Sequence, residues 1–270
     1  MKLNTISIIV PVRNEQGNIQ LLVDRIEKTA VLNSLTYEVV FIDDHSTDKT
    51  QEIIKTLANQ LPISLFLKKG KRGKAQSLIE GFKFAKYDTI CMIDADLQYP
   101  PEAIPEMLKK LDEFDIVVAN RKTRHVSTTR KYLSQLYTFI FGKMLLGLSV
   151  DVQSGLKVFN KQVLRNLHLN PTPWGFDYEF LYKAKRMRWQ IGQVDIVFNE
   201  RLYGFSNINY MHTGLELAYG AVKLRLKYLV KDILRFLDYP HHSERYPISF
   251  ENTIDYLYLP EIYSDRYPVN

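Results

Sequence analysis

The sequence predicts an α/β fold with a mainly parallel central sheet covered by helices on both faces. Two observations predict it. Apolar runs of strand length alternate with longer amphipathic stretches through the first half of the chain, and three of those runs end in polar clusters. Short buried strands alternating with helices make a doubly covered parallel sheet, whose ligands sit beyond the carboxyl ends of the strands.

The elements follow in order. Ile6–Val12 is a continuous apolar run ending at Pro11-Val12-Arg13, and Asn18–Val31 then carries apolar residues at helical spacing. Tyr37–Asp43 reads as a second strand, followed by the helix Lys49–Leu61, which Ser46 or Asp48 can cap. Ile63–Lys68 is a third strand and Lys74–Ala85 a third helix, joined by the basic, glycine-containing loop Lys68 to Lys74. Thr89–Asp94 is a fourth strand, Glu102–Leu111 a helix announced by Pro100-Pro101, and Ile116–Ala119 a fifth strand. Tyr132–Leu148 is strongly apolar but interrupted by Gln135 and Lys143. Val194–Asn199 is a further strand, and a long helix runs from about Tyr210 to Leu237. In that helix Leu215, Tyr219, Val222, Leu226, Leu229, Ile233 and Leu237 form one stripe, while Lys223, Lys227, Lys231 and Arg235 recur on another face.

Composition narrows the function. With 270 residues, 46% hydrophobic and 24% charged, the chain can bury one substantial core and is neither disordered nor stapled by disulfides. Its single cysteine, Cys91, sits within Thr89-Ile90-Cys91-Met92-Ile93 and reads as a small core residue. No stretch approaches the ~20 apolar residues of a spanning helix, and the N-terminal run is too short for a signal peptide. A cytoplasmic location is therefore expected. The net charge is +6, but residues 238–270 hold six acids against two arginines, so residues 1–237 carry +10. Basic surface of that size suits phosphate-bearing ligands.

Three constellations bear chemistry. Asp94 and Asp96 flank Ala95 at the end of a buried strand, within reach of one divalent cation, and Gln98 adds a neutral oxygen two residues on. Hard cations such as Mg²⁺ or Mn²⁺ take such oxygens and complete their shell with water and substrate phosphates. An isolated Asp-x-Asp would more often be a helix-capping turn; its companions argue otherwise. Asp43 and Asp44 end a second strand and can accept from a base edge or ribose. Arg72-Gly73-Lys74 can approach phosphate. It could also be a solvated charge run. A nucleic-acid role is not expected, because no stacking-aromatic platform stands beside the basic loop.

The set resembles a known family. Pro11-Val12-Arg13-Asn14-Glu15, Ile42-Asp43-Asp44-His45-Ser46-Thr47-Asp48, Arg72-Gly73-Lys74 and Asp94-Ala95-Asp96-Leu97-Gln98-Tyr99-Pro100-Pro101-Glu102 occur in the order and spacing of family 2 inverting glycosyltransferases. Asp151-Val152-Gln153-Ser154-Gly155-Leu156-Lys157, Trp174-Gly175-Phe176-Asp177-Tyr178-Glu179 and Glu200-Arg201-Leu202-Tyr203-Gly204-Phe205-Ser206 extend the match over about residues 5–210. The branch that looks similar is that of dolichol-phosphate mannosyltransferase and bacterial polyprenyl-phosphate glycosyltransferases.

The resemblance implies a GT-A catalytic domain over 1–209 with 132–148 as an interfacial helix. An amphipathic basic helix over 210–237 and an acidic, tyrosine-rich tail over 238–270 follow it. It implies a hexosyl donor carried on UDP or GDP, a Mg²⁺ or Mn²⁺ cofactor, a lipid-phosphate acceptor and peripheral attachment at the cytoplasmic membrane face. By the same resemblance Pro11, Asn14, Glu15, Asp43, Asp44, Lys74, Asp94 and Ala95 would line the donor nucleotide. Asp94, Asp96 and Gln98 would hold the metal, Arg121 and Arg201 would meet phosphates, and Arg130 and Ser206 would meet the acceptor phosphate. Asp177 and Glu179 are the candidate bases if the acceptor is a hydroxyl of a glycan or surface-polymer precursor; they also suit a helix N-terminus electrostatically. A phosphate acceptor, with a second pKa near ~6, needs no base. Three positions depart from the family pattern: Arg13 for an aromatic residue, Ala75 for a glycine and Asn207 for a lysine. The sequence leaves open a non-catalytic nucleotide-sugar scaffold, the identity of the sugar and the oligomeric state.

Overall fold

The computed structural model describes residues 4–124, 138–169, 175–203 and 210–238. Compact unit one is Met1–Leu226 and unit two is Lys227–Asn270. Unit one is built on a seven-stranded sheet of order β3-β2-β1-β4-β6-β5-β7. Its strands are β1 (Thr5–Val12), β2 (Thr36–Asp43), β3 (Ile63–Leu67), β4 (Thr89–Met92), β5 (Ile116–Arg124), β6 (Lys157–Asn160) and β7 (Ile191–Phe198). The helices are α1 (Ile19–Leu32), α2 (Thr50–Ala58), α3 (Lys74–Phe84), α4 (Ile104–Lys110), α5 (Phe176–Arg186) and α6 (Tyr210–Asp238). The expected strands form, as do the expected helices other than 132–148, with ends shifted by a few residues; residues 132–137 lie outside the described residues.

β1 pairs in parallel with β2 and β4, and β2 with β3, because each crossover is a helix that packs back on the sheet. Ile6, Ile8, Ile9, Val10 and Val12 of β1 are all buried, since a central strand covered on both faces has no solvent side. α1 buries Ile19, Leu22, Val23, Ile26 and Ala30, a stripe at helical spacing. Each such aliphatic side chain contributes roughly 1.5–3 kcal/mol on full burial. The α2 start is held by Asp48, whose Oδ1 accepts from the Thr50 amide at 3.0 Å. Ser46, the other cap candidate, instead accepts from the Asn14 amide at 3.0 Å.

One strand escapes the sequence reading. β6 runs antiparallel between β4 and β5. It is four residues long and begins with a lysine, so its apolar signature is too brief to register. Its direction matters for the site. An antiparallel strand starts where its parallel neighbours end, so the residues preceding β6, Asp151 to Leu156, arrive at the same carboxyl edge as the ends of β1, β2 and β4. α5 likewise begins next to this edge and supplies Asp177 and Glu179.

Of the apolar segment expected over Tyr132–Leu148, the described part is a π-helical turn, Thr138–Leu145, with Phe139, Ile140 and Met144 exposed and Leu146 and Leu148 buried just beyond it. α6 buries Leu217 and Ala221 within unit one, and its Gly220 lies where a Cβ would come within 2.1 Å of the Tyr178 hydroxyl. Arg225 donates to the Tyr182 hydroxyl at 3.1 Å. The stripe of Leu215, Tyr219, Val222 and Leu226 therefore belongs to the other face of the helix and is exposed. In unit two Leu229, Val230, Ile233 and Leu234 are exposed as well. Among the described residues no helix is long and apolar enough to cross a membrane. The tail beyond Asp238 lies outside the described residues.

Candidate functional site

The ends of β1 and β2 are tied to each other before they can meet a ligand. Asn14 has a φ of 55°, and its side-chain oxygen accepts from the Thr47 amide at 2.8 Å. A small polar side chain tolerates that left-handed backbone and converts it into a loop-to-loop tie. Glu15 accepts from the Asn18 amide side chain at 2.6 Å, and burial pushes its carboxyl above the usual range. Pro11, partly buried in β1, pairs with Ile42 of β2 and so stands beside Asp43 and Asp44.

The two adjacent aspartates differ. Asp44 is buried and accepts from Lys68 Nζ at 3.1 Å and from the Gly73 amide at 2.7 Å, so it anchors the basic loop to β2. Burial works against its charge, but the Gly73 and Lys68 hydrogen bonds prevail and hold its carboxyl below the ordinary value. Asp43 accepts from the Ser46 amide and the Gln51 side chain through Oδ2, while Oδ1 is buried without a hydrogen-bond partner. A buried carboxylate oxygen without a donor is costly, and a nucleotide base edge or ribose hydroxyl can supply one.

Across β1, the segment after β4 presents the carboxylates. Asp94 Oδ1 lies 2.5 Å from Lys74 Nζ. Asp96 Oδ2 lies 2.6 Å from Arg201 Nη2, and its Oδ1 accepts from the Gln98 amide at 3.2 Å. Burial, then the charge of Asp94, raises the Asp96 carboxyl above its usual range despite Arg201. Ala95 is buried between them, and Leu97 adopts a φ of 63° to turn the chain back. Gln98 is tied through its backbone to Asn199 at 3.0 Å, which brings Arg201 to Asp96.

Arg121, in the second half of β5, is gripped by both oxygens of Asp151 at 2.5 and 2.7 Å and stands 5.3 Å from the Phe198 ring. Asp151 is a residue the sequence reading left without a role. Lys157, fully buried, donates to Asp177 and to the Ser154 carbonyl, and burial lowers its pKa. Glu179 is paired with Lys183, one helical turn on, and Lys183 also reaches the His168 carbonyl. Arg130 and Ser206, the expected acceptor-phosphate residues, lie outside the described residues.

Gly155 was also without a role in the sequence reading. Its amide donates to the Tyr99 hydroxyl at 2.7 Å, and a Cβ there would lie 2.2 Å from Asp94 Oδ2. The Tyr99 hydroxyl is buried, and burial pushes its pKa up to about 12, so it stays neutral. A glycine at the start of a strand signals close approach of another group, but not which group approaches.

The residue set suits a metal that arrives with phosphate. Among the described residues no group of three or more His, Cys, Asp or Glu can hold a metal ion. Asp94 and Asp96 carry carboxylate oxygens that a divalent cation would take, and the Gln98 side chain donates to the Asn199 carbonyl at 3.4 Å; Mg²⁺ commonly completes so small a protein shell with water and substrate phosphates.

A mainly parallel sheet with one inserted antiparallel strand thus gathers paired carboxylates, an aspartate oxygen without a hydrogen-bond partner and a basic loop at one edge. The glycosyl transferase family 2 model matches residues 7–168, and the chain belongs to this family. It is 31% identical over 212 residues to dolichol-phosphate mannosyltransferase of Pyrococcus furiosus, covering 75% of this chain and 59% of that one. It is 33% identical over 138 residues to undecaprenyl-phosphate 4-deoxy-4-formamido-L-arabinose transferase of Yersinia enterocolitica, covering 50% of this chain and 42% of that one. The chain thus spans less than two thirds of the length of either relative. Glucosyl-3-phosphoglycerate synthase of Mycobacterium tuberculosis, solved with Mn²⁺, UDP and phosphoglyceric acid, superposes with a TM-score of 0.65 at 19% identity, covering 82% of this chain and 78% of that one. The expected GT-A fold is present.

Proposed function

We propose that this chain is a glycosyltransferase that moves a hexosyl unit from a nucleotide-diphosphate sugar to a polyprenyl phosphate, with Mg²⁺ or Mn²⁺ as cofactor. The observation that carries the donor half is the convergence on one sheet edge of Asp94 and Asp96, each held by a cation, with the unpartnered Asp43 oxygen. Asp43 would take a donor from the nucleoside. Lys74 and Arg201 would neutralise the diphosphate. A divalent cation held by Asp94, Asp96 and Gln98 would stabilise negative charge on the departing nucleoside diphosphate.

The acceptor half rests on two supports. Relatives of the chain are named for transfer to dolichol phosphate and undecaprenyl phosphate. Within the site, Asp177 and Glu179 are both engaged by lysines, so neither stands as an unencumbered base. A phosphate monoester needs none, because near neutral pH it is already an anion. Attack then comes from a phosphate oxygen on the face of the anomeric carbon opposite the leaving diphosphate. The exposed apolar stripe of α6, beside Lys223 and Lys227, fits an anionic bilayer surface at the cytoplasmic face, where each basic residue contributes about 1 kcal/mol.

Incubation of the purified chain with UDP- and GDP-hexoses, Mn²⁺ and a polyprenyl phosphate tests this directly. Lipid-linked sugar forms, is lost in Asp96→Ala, and persists at near-normal turnover in Asp177→Asn. Transfer only to a hydroxyl acceptor, abolished in Asp177→Asn, would replace the phosphate acceptor by a glycan. Flotation with anionic vesicles, weakened by Lys223→Glu with Lys227→Glu, tests the membrane face.

A further inference from the structure

We propose that Lys74 and Arg201 are built-in counter-ions that occupy the two metal-binding carboxylates until the donor's diphosphate draws them off, so that cation and diphosphate enter as one unit. This rests on the reading of Asp94 and Asp96 as the donor-site carboxylates.

Three features of the ion pairs support it. First, each carboxylate has its own cation: Lys74 on Asp94 at 2.5 Å and Arg201 on Asp96 at 2.6 Å. A divalent ion bound by both aspartates must displace or share with both cations. Second, these two cations are more exposed than those of the other pairs along this edge. The Lys74 side chain is 42% exposed against 23% for Asp94, and that of Arg201 is 31% against 9% for Asp96. The other pairs along this edge are built differently. Lys68 on Asp44 and Lys157 on Asp177 are fully buried, and Arg121 is forked on Asp151 and 13% exposed. Those cations are packed in place, whereas Lys74 and Arg201 stand nearer solvent. Third, neither cation comes from the sheet itself. Lys74 is the first residue of α3, directly after Gly73 at φ 139°, and Arg201 lies on the irregular segment that follows β7.

The charges balance. Asp94 and Asp96 are matched by Lys74 and Arg201, and burial of the neighbouring Glu15 works against its charge. A nucleoside diphosphate adds two or more negative charges and a divalent cation adds two positive ones, so the exchanged state is again near neutral. A divalent ion alone would leave two cations facing it, and a diphosphate alone would face two carboxylates. Burial magnifies both mismatches, because unpaired charge is costly where water is excluded. Neither ligand binds well without the other.

Manganese binding, read by the electron paramagnetic resonance of free Mn²⁺, tests the idea without turnover. In the full chain, Mn²⁺ alone binds weakly, and UDP or GDP tightens it. Lys74→Met and Arg201→Met each tighten binding of Mn²⁺ alone by about fivefold, the equivalent of a half-exposed ion pair, and reduce the gain from nucleotide. Lys74→Arg keeps the wild-type pattern, and circular dichroism confirms folding of each variant. If folded Lys74→Met and Arg201→Met bind Mn²⁺ alone no more tightly than wild type, the counter-ion role is wrong while the donor site stands. If wild type binds no Mn²⁺ even with UDP or GDP, both readings fall.

Discussion

Gly155→Ala is the sharpest test of the carboxylate geometry, because it adds one methyl group and removes no ligand, charge or hydrogen bond. The added Cβ would lie 2.2 Å from Asp94 Oδ2, 2.7 Å from its Cγ and 2.9 Å from Cε2 of Tyr99, where ordinary contact begins at 3.4 Å. The Asp94 carboxylate must therefore retreat by about 1 Å from its place beside Gly155. Gly155 is not among the positive-φ residues, so alanine brings no backbone strain and the effect is one of space alone. Misplacement of a reacting or binding group by 1 Å costs on the order of 100-fold in turnover. Overpacking of this kind costs roughly 1–3 kcal/mol of stability, which in a chain of this size lowers Tm by only a few degrees. The assay is Mn²⁺-dependent sugar transfer, with the metal concentration for half-maximal rate measured beside kcat and Tm from calorimetry. The expected result is a kcat fall of about 100-fold and a higher Mn²⁺ requirement in a folded protein. Wild-type kcat and Mn²⁺ requirement would show that Asp94 does not depend on the space Gly155 leaves, and would refute the reasoning.

Asp43→Asn should weaken UDP or GDP binding by about tenfold or more in calorimetry, since a hydrogen bond to a charged acceptor is worth roughly 1.5–3 kcal/mol; unchanged affinity would remove Asp43 from the nucleoside pocket. Lys157→Met strips a fully buried cation from Asp177 and should cost roughly 3–5 kcal/mol in urea unfolding, with much of the loss recovered by adding Asp177→Asn. No recovery in the double variant would mean that Lys157 matters for packing and not for charge. Asp44 has a carboxyl held below its ordinary value of 3.8 by Gly73 and Lys68 against the cost of burial, so its stabilising contribution is present above pH 4 and is lost as pH falls through the depressed value. Tm measured from pH 3 to 7 should therefore fall less steeply toward acid in Asp44→Asn than in wild type, and identical slopes would contradict the assignment.

The carboxyl-edge clusters were legible because each is local in sequence and follows an apolar run. Asp43, Asp94 and Asp96 sit within a residue or a few of the buried strands that end in them, so alternation and spacing suffice to gather them at one edge. The partners of those residues were not legible. Lys74 meets Asp94 across 20 residues, Arg201 meets Asp96 across 105, and Arg121 meets Asp151 across 30. A pairing over such separations depends on how the strands are ordered, and no periodicity records that.

The sequence by itself thus determined the class of fold, the edge at which chemistry is gathered and the acids present there, because hydrophobic period and strand-end polarity are properties of short stretches. The tertiary structure alone decided the rest. It inserted the antiparallel β6, whose reversed direction carries Asp151, Gly155 and Lys157 to the site. It also gave Asp43 and Asp44 different environments, one with an unpartnered oxygen and the other locked to Lys68. In unit one it turned Leu217 and Ala221 inward, leaving the longer apolar stripe of α6 outside. Helical periodicity shows that a helix has an apolar face, but only packing chooses which residues the core takes.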